Sequence, residues 1–342
     1  MSAARHGAFR LHGWRRRRRH CRNRALPAEP HFQLPAAALT GWLERDDGCR
    51  IRTLTLPVEQ PRANLIVLNG RADFLEKWAD AWASLAGLRC SLYSWDWRGQ
   101  GASSRNCATD AGHIDSFDRW LHDVDILANQ ALATLGDDAP WFVLGHSMGG
   151  HLTLRWLTDP ARRDHPLRRR LRGGILTAPF FGVTLARPMR TLARLLSQSR
   201  VDAGRGAEYA WTQTPYGAVQ KSAAAMAILT SSRPHFEDEA RWIDRNPALA
   251  TGGVTWGWLN AFFQSQKKLE AGPLEEMDLP LLMLLAEGDK LISNVSAQDI
   301  TTRLPDVQVQ MMPGAHELLR ETDDRKQAVL ARIAAFLQDH GA

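Results

Sequence analysis

Trp141-Phe142-Val143-Leu144-Gly145-His146-Ser147-Met148-Gly149-Gly150-His151-Leu152 decides the fold. Its first four residues form a continuous apolar run, which reads as a short buried strand. Gly145 to Gly149 is Gly-x-Ser-x-Gly, and His151 to Leu157 reads as a helix. Strand, tight turn and helix together make this pentapeptide a nucleophile elbow. The serine at the apex sits in a strained backbone conformation. Cβ atoms two residues to either side would collide with the crossing strand and helix, hence the glycines at 145 and 149. Ser147 then stands clear at the strand's carboxyl end. The N-terminus of the following helix lies beneath it and stabilises negative charge.

Outward from the elbow, strands alternate with helices. Leu43 to Leu56 alternates around Asp47-Gly48, a hairpin signal. Asn64 to Leu68 is a continuous apolar strand ending at Asn69-Gly70. Leu75, Trp78, Trp82 and Leu85 recur at helical spacing over residues 73–86. Cys90 to Trp95 reads as a strand, followed by a helical face at Phe117, Trp120, Leu121, Val124 and Leu127. Gly174 to Ala178, Pro280 to Ala286 and Val307 to Met312 are further strands, and Val329, Leu330, Ile333, Phe336 and Leu337 mark a closing helix. The alternation predicts a mostly parallel sheet covered on both faces. From about 180 to 269 the sequence is helix-like without a clear strand, long enough for an inserted cap.

A serine hydroxyl is a poor nucleophile at neutral pH and needs a base, itself oriented by an acid. In this architecture the chain order is Ser, acid, His. The strand Leu281 to Ala286 ends in Glu287-Gly288-Asp289, and the next strand ends in Pro313-Gly314-Ala315-His316-Glu317. Both are strand carboxyl ends, the rim that presents Ser147. Asp289 is the favoured acid. Glu287 is the alternative, and a helix cap is the bland role for Asp289. His316 is the only histidine between Asp289 and the closing helix. His113, His122, His165 and His235 read as surface or structural residues. His146 reads as packing, pointing away from the direction of Ser147. The oxyanion of an acyl intermediate needs two donors. The Met148 amide is one candidate. The Arg71 amide is the other, with Gly70 allowing close approach, although Asn69-Gly70 is also an ordinary turn signal. Asp96-Trp97-Arg98-Gly99-Gln100-Gly101 reads as a structural turn stiffened by two glycines and a charge pair.

The net charge of +6 is unevenly spread. Residues 1–30 hold nine Arg and one Glu, five of the Arg in the run Arg15–Arg19, while the remainder holds 34 basic and 36 acidic residues. Residues 1–35 therefore read as a basic, disordered tail or an early translation start, and 36–342 as the folded domain. Leu26-Pro27-Ala28-Glu29-Pro30 supplies no apolar core for a secretion signal, and no stretch reads as a transmembrane span. We expect a cytoplasmic protein. Contact of this basic tail with nucleic acid or anionic lipid is the alternative reading, and no specific nucleic acid is expected. Four cysteines without CxxC spacing read as free thiols. Of the 13 tryptophans, most should be core.

Together these residues resemble the α/β-hydrolase superfamily, and within it the bacterial lysophospholipase and monoacylglycerol lipase group, also called serine aminopeptidase-like hydrolases. The matching stretches are Leu68 to Arg71, Asp96 to Gly101, Gly145 to Gly150, Leu176 to Gly182, Gly252 to Trp256, Ala286 to Asp289 and Gly314 to Glu317. They span about residues 40–338. Many relatives carry His where this chain has Asn69 and Trp97. The resemblance implies a serine hydrolase that cleaves a fatty acyl ester of a lysophospholipid or monoacylglycerol, with no metal and no organic cofactor. A carboxylesterase or peptidase of the same fold is the nearest alternative, and a non-catalytic ligand-binding protein the alternative from another class. A peptidase would need a buried acid for the substrate amine, and none stands out. The cap would shape the acyl pocket. Its Arg187 to Leu196 stretch mixes Arg with Leu at helical spacing. We read it as a cap helix with its apolar side inward, with peripheral contact at the inner membrane face as the rival.

Overall fold

The structure is a computed structural model that describes residues 28–183 and 186–342. Arg15–Arg19, and with it the expected disorder of the tail, lies outside the described residues. Residues 28–35, counted above with the tail, are described.

Among the described residues eight strands form one sheet: β1 (Leu39–Glu44), β2 (Arg50–Leu56), β3 (Ala63–Leu68), β4 (Cys90–Trp95), β5 (Trp141–His146), β6 (Leu171–Thr177), β7 (Leu281–Ala286) and β8 (Val307–Met312). Their order is β1-β2-β4-β3-β5-β6-β7-β8. β2 runs against β1 and β4, and every pairing from β4 to β8 is parallel. Burial on both faces explains why β3, β5 and β7 read as largely unbroken runs rather than alternating ones.

The helices are α1 (Ala79–Gly87), α2 (Phe117–Leu135), α3 (Met148–Thr158), α4 (Arg187–Asp202), α5 (Ala223–Leu229), α6 (Arg233–Arg245), α7 (Trp256–Ala271), α8 (Asn294–Thr301) and α9 (Asp323–Asp339). Successive residues of each central strand face opposite sides. Ile66, Leu68, Val143 and Met283 meet Trp120 and Leu121 of α2, Leu152 of α3 and Phe262 of α7 in one core. Leu65, Val67, Leu144 and Leu284 meet Trp82 of α1 and Ile333 of α9 in the other. Residues 73–86 are not one helix: a 3-10 turn at Leu75–Trp78 precedes α1. Nine of the 12 described tryptophans are buried. Cys49, Cys90 and Cys107 are free thiols.

Helices α4 to α7 fill the span between β6 and β7. The Phe32 ring stacks on His235 of α6 at 4.4 Å, and Glu29 pairs with Arg245. The chain just before β1 therefore lies against α6. No helix among the described residues is long and apolar enough to cross a membrane.

Candidate active site

Ser147 joins β5 to α3 with φ 52° and ψ −117°, a left-handed conformation that costs about 1–3 kcal/mol in a non-glycine residue. It is held by three main-chain bonds: its N–H donates to Thr177 O, and its carbonyl accepts from His151 and Phe180. The glycines behave as their spacing demands. A Cβ on Gly145 would lie 2.5 Å from Thr153 Oγ1, and one on Gly149 would lie 1.9 Å from Leu68 O. Gly149 thus lets α3 touch the end of β3.

The three residues taken from strand ends meet. Ser147 Oγ is 2.8 Å from His316 Nε2, and His316 Nδ1 is 2.7 Å from Asp289 Oδ2. A carboxylate can only accept, so Nδ1 carries the proton and Nε2 presents its lone pair to the serine. The other Asp289 oxygen accepts from the Leu291 and Ile292 amides at 2.9 and 3.1 Å, which fixes the carboxylate plane. Burial raises the Asp289 carboxyl, and the bonds from His316 and these two amides more than reverse that, holding it below its ordinary value. Glu287 is exposed, and its amide is spent on Met312 O.

The two candidate oxyanion donors also converge. Met148 is the first residue of α3, so its N–H has no intrahelical acceptor. The Gly70 amide goes to Asp73 Oδ2 and the Ala72 amide to Gln100 Oε1, which leaves the Arg71 amide between them without an acceptor among the described residues. A Cβ on Gly70 would lie 3.3 Å from Ser147 Cβ, so the loop and the elbow are in contact. Asn69 and Trp97 serve this loop: Trp97 Nε1 donates to Asn69 O at 2.8 Å, and Asn69 Nδ2 donates to Trp95 O.

Sequence reasoning missed the buried ionic cluster beneath the site. Lys77 Nζ lies 2.8 Å from Asp73, 2.8 Å from Glu317 and 3.0 Å from Glu239. Arg320 pairs with Glu317. Burial pulls Lys77 down, but the three carboxylates win and hold it well above its ordinary value. The Asp73–Lys77 and Glu317–Arg320 spacings are the sole local traces of this cluster. The rest is tertiary.

Three expectations need correction. The His146 ring does not point away: it lies 5.1 Å from the His316 ring and 5.3 Å from Trp78. Alternation along β5 stops governing direction at the elbow, because Ser147 has left the strand. Burial, and then the charge of His316, push His146 down to about 4, so it stays neutral. In the turn after β4, Asp96 pairs with Arg52, and Arg98 pairs with Asp123 and Asp47, rather than with each other. In α4 three of the large apolar side chains face outward: Met189, Leu192 and Leu195 are 48%, 49% and 60% exposed, while Leu196 is half-buried. The side packed on α7 is built from Ala193 and Ser197, because a close helix crossing needs small residues.

Phe180, Phe262 and Trp258 stack into an aromatic wall beside the elbow, with Phe180 and Phe262 4.3 Å apart. The end of α5 bonds to the histidine loop: His316 N–H donates to Ile228 O and Glu317 N–H to Leu229 O. Ser147 is 8% exposed and His316 2%. Among the described residues no cluster of His, Cys, Asp or Glu is arranged to hold a metal ion.

A hydrogen-bonded serine, histidine and aspartate on the carboxyl rim of a mostly parallel sheet, under helical cover, define a serine hydrolase of the α/β-hydrolase fold. The chain belongs to the serine aminopeptidase S33 family, whose profile matches residues 59–323. It is 28% identical over 315 residues to a probable lysophospholipase L2 of Haemophilus influenzae, covering 90% of this chain and 94% of that protein. It is 24% identical to lysophospholipase L2 of Escherichia coli, covering 88% and 90%. Among solved structures it resembles a soluble variant of the Saccharomyces cerevisiae monoglyceride lipase bound to a substrate analogue, with TM-score 0.69, 17% identity and coverage of 92% and 100%. A Bacillus coagulans carboxyl esterase superposes with TM-score 0.68 at 16% identity, covering 90% and 100%.

Proposed function

We propose that the protein releases a fatty acid from a lysophospholipid or monoacylglycerol through an acyl-enzyme on Ser147. The unbroken run of bonds from Ser147 through His316 to Asp289 carries this assignment. Ser147 Oγ attacks the ester carbonyl while His316 Nε2 takes its proton. The Met148 and Arg71 amides hold the resulting oxyanion. As the intermediate collapses, His316 returns the proton to the departing glycerol oxygen. Water, deprotonated by the same imidazole, then attacks the acyl-enzyme, and the second collapse frees the fatty acid and Ser147. Asp289 keeps its charge throughout and holds the imidazole in the required tautomer. The lysophospholipase relatives and the monoglyceride lipase neighbour favour this substrate class.

Aminopeptidase action is the reading this family's name invites. It needs a free buried carboxylate to hold a substrate ammonium. The acids near the site, Asp73, Glu239 and Glu317, are already spent on Lys77 and Arg320. The outward apolar face of α4, flanked by Arg190 and Arg194, suits peripheral contact with an anionic membrane, and we place the enzyme in the cytoplasm at the inner membrane face. A fluorophosphonate should label Ser147 in the native protein and not in Ser147→Ala. Purified enzyme should turn over lysophospholipid or monoacylglycerol and leave aminoacyl arylamides intact. The opposite preference would sink the ester assignment.

A further inference from the structure

Among the described residues the fully buried cations are paired with carboxylates. Arg52 meets Glu76 and Asp96, Lys77 meets its three acids, Arg98 meets Asp123, Arg155 meets Asp118, and Arg320 meets Glu317. Half-buried Arg71 has no such partner among the described residues. One of its terminal amines donates to Gly252 O, and its Nε is buried without an acceptor. Its guanidinium carbon lies 5.7 Å from the centre of the Trp258 ring. The neighbouring acid, Asp110, favours the Arg71 charge from nearby but makes no bond to it: one of its oxygens accepts from the Tyr209 hydroxyl and the other from the Tyr216 amide. Arg105, which also lacks a carboxylate, is satisfied by the carbonyls of Gly99, Gly101, Ala248 and Ala250. Arg71 is therefore a partly desolvated positive charge with donors to spare. Burial lowers its guanidinium to about 10, still charged at neutral pH.

Its position gives that charge a use. The Arg71 main chain lies beside Ser147, and its side chain runs to Trp258, part of the aromatic wall next to the elbow. One residue would then serve both ends of the ester, its amide the acyl oxygen and its guanidinium, at the Trp258 ring, a group one glycerol away from it. A phosphate diester brings the missing anion and accepts paired bonds from a guanidinium. The free glycerol of a monoacylglycerol brings hydroxyls only.

Resting on the hydrolase assignment above, we propose that the Arg71 side chain binds the phosphate of a lysophospholipid and sets a preference for it over a monoacylglycerol of the same acyl chain. The test compares kcat/KM for 1-palmitoyl lysophosphatidylglycerol and 1-palmitoylglycerol, both in the same non-ionic detergent micelles, in wild type, Arg71→Met and Arg71→Lys. The ratio of the two values should fall about 10- to 100-fold in Arg71→Met, chiefly through KM, with Arg71→Lys in between. Equal losses on both esters would make Arg71 a mere tie to Gly252 and overturn the proposal, as would an unchanged ratio. A wild type without lysophospholipid preference, but inhibited on the monoacylglycerol by inorganic phosphate in an Arg71-dependent way, would mark a free-anion site and overturn the headgroup assignment. Wild-type protein inactive on both esters would instead overturn the hydrolase assignment itself.

Discussion

Lys77 Nζ lies 2.8 Å from Glu317 Oε1, and Glu317 directly follows His316. The same ammonium holds Asp73, which accepts from the Gly70 amide of the candidate oxyanion loop, and Glu239 of α6. One cation thus fastens three chain segments around the site. Removing one partner of a buried ionic group leaves the others unpaired and costs about 3–5 kcal/mol. Lys77→Met should lower the urea unfolding free energy by about that much. Arg233→Ala, which breaks an exposed pair with Glu237, should change it by less than about 1 kcal/mol. Similar effects for the two variants would remove Lys77 from this role.

The backbone at Ser147 is bent to serve its hydroxyl. Ser147→Ala keeps the Cβ and the strain and should cut ester turnover by about 10⁶-fold. Ser147→Gly should be equally inactive. Glycine tolerates φ 52°, so this variant should be more stable than Ser147→Ala by about 1 kcal/mol. Thermal or urea unfolding of the two variants decides it. Equal stabilities would mean the elbow carries no strain.

The three candidate catalytic residues were legible because each follows a strand whose apolar run is readable, and strand ends in a parallel sheet share one rim. Gly145 and Gly149 were legible for a steric reason that any elbow imposes. The Lys77 cluster was not, because its charges come from positions 73, 77, 239, 317 and 320, and Lys77 in isolation resembles the polar side of a short helix. The orientation of α4 was not legible either. Amphipathic spacing says that one side is apolar without saying which side packs, and here α7 accepts Ala193 and Ser197. The Asp96 and Arg98 partners lay far away in sequence, at Arg52 and Asp123.

Two buried histidines make stability depend on pH. His146 is lowered to about 4, by burial and then the charge of His316; His151 is lowered to about 3, by burial and then the charge of Arg155. Unfolded, both return to about 6.5. Between these values the unfolded chain binds more protons, so stability falls as pH drops through 6.5 toward 4. Each histidine should remove roughly 2 kcal/mol between pH 7 and pH 5. Asp96, raised to about 6 chiefly by burial, acts the other way by roughly 1 kcal/mol. Urea unfolding of wild type should therefore weaken over this range. In His146→Asn the pH 7 to pH 5 difference should shrink by about 2 kcal/mol. An undiminished difference would mean that His146 does not resist protonation.

Contact with a membrane depends on which way α4 faces. Met189, Leu192 and Leu195 project from the cap, and Leu291 and Val295 are exposed just after Asp289. Val183, four residues before α4, pairs with Ile292, which ties the entry to the cap to the Asp289 loop. Apolar side chains sinking into an interface contribute roughly 25 cal/mol per Å² buried, and each nearby Arg adds about 1 kcal/mol on an anionic surface. The native enzyme should therefore sediment with phosphatidylglycerol-containing vesicles, less so at high salt. Leu192→Glu with Leu195→Glu should reduce that partitioning about 10- to 100-fold, because it removes apolar burial and adds two charges that the surface repels. Turnover of a water-soluble short-chain ester should not change, since neither leucine lies at Ser147. If the double variant still binds vesicles like the wild type, α4 is not the face that meets lipid.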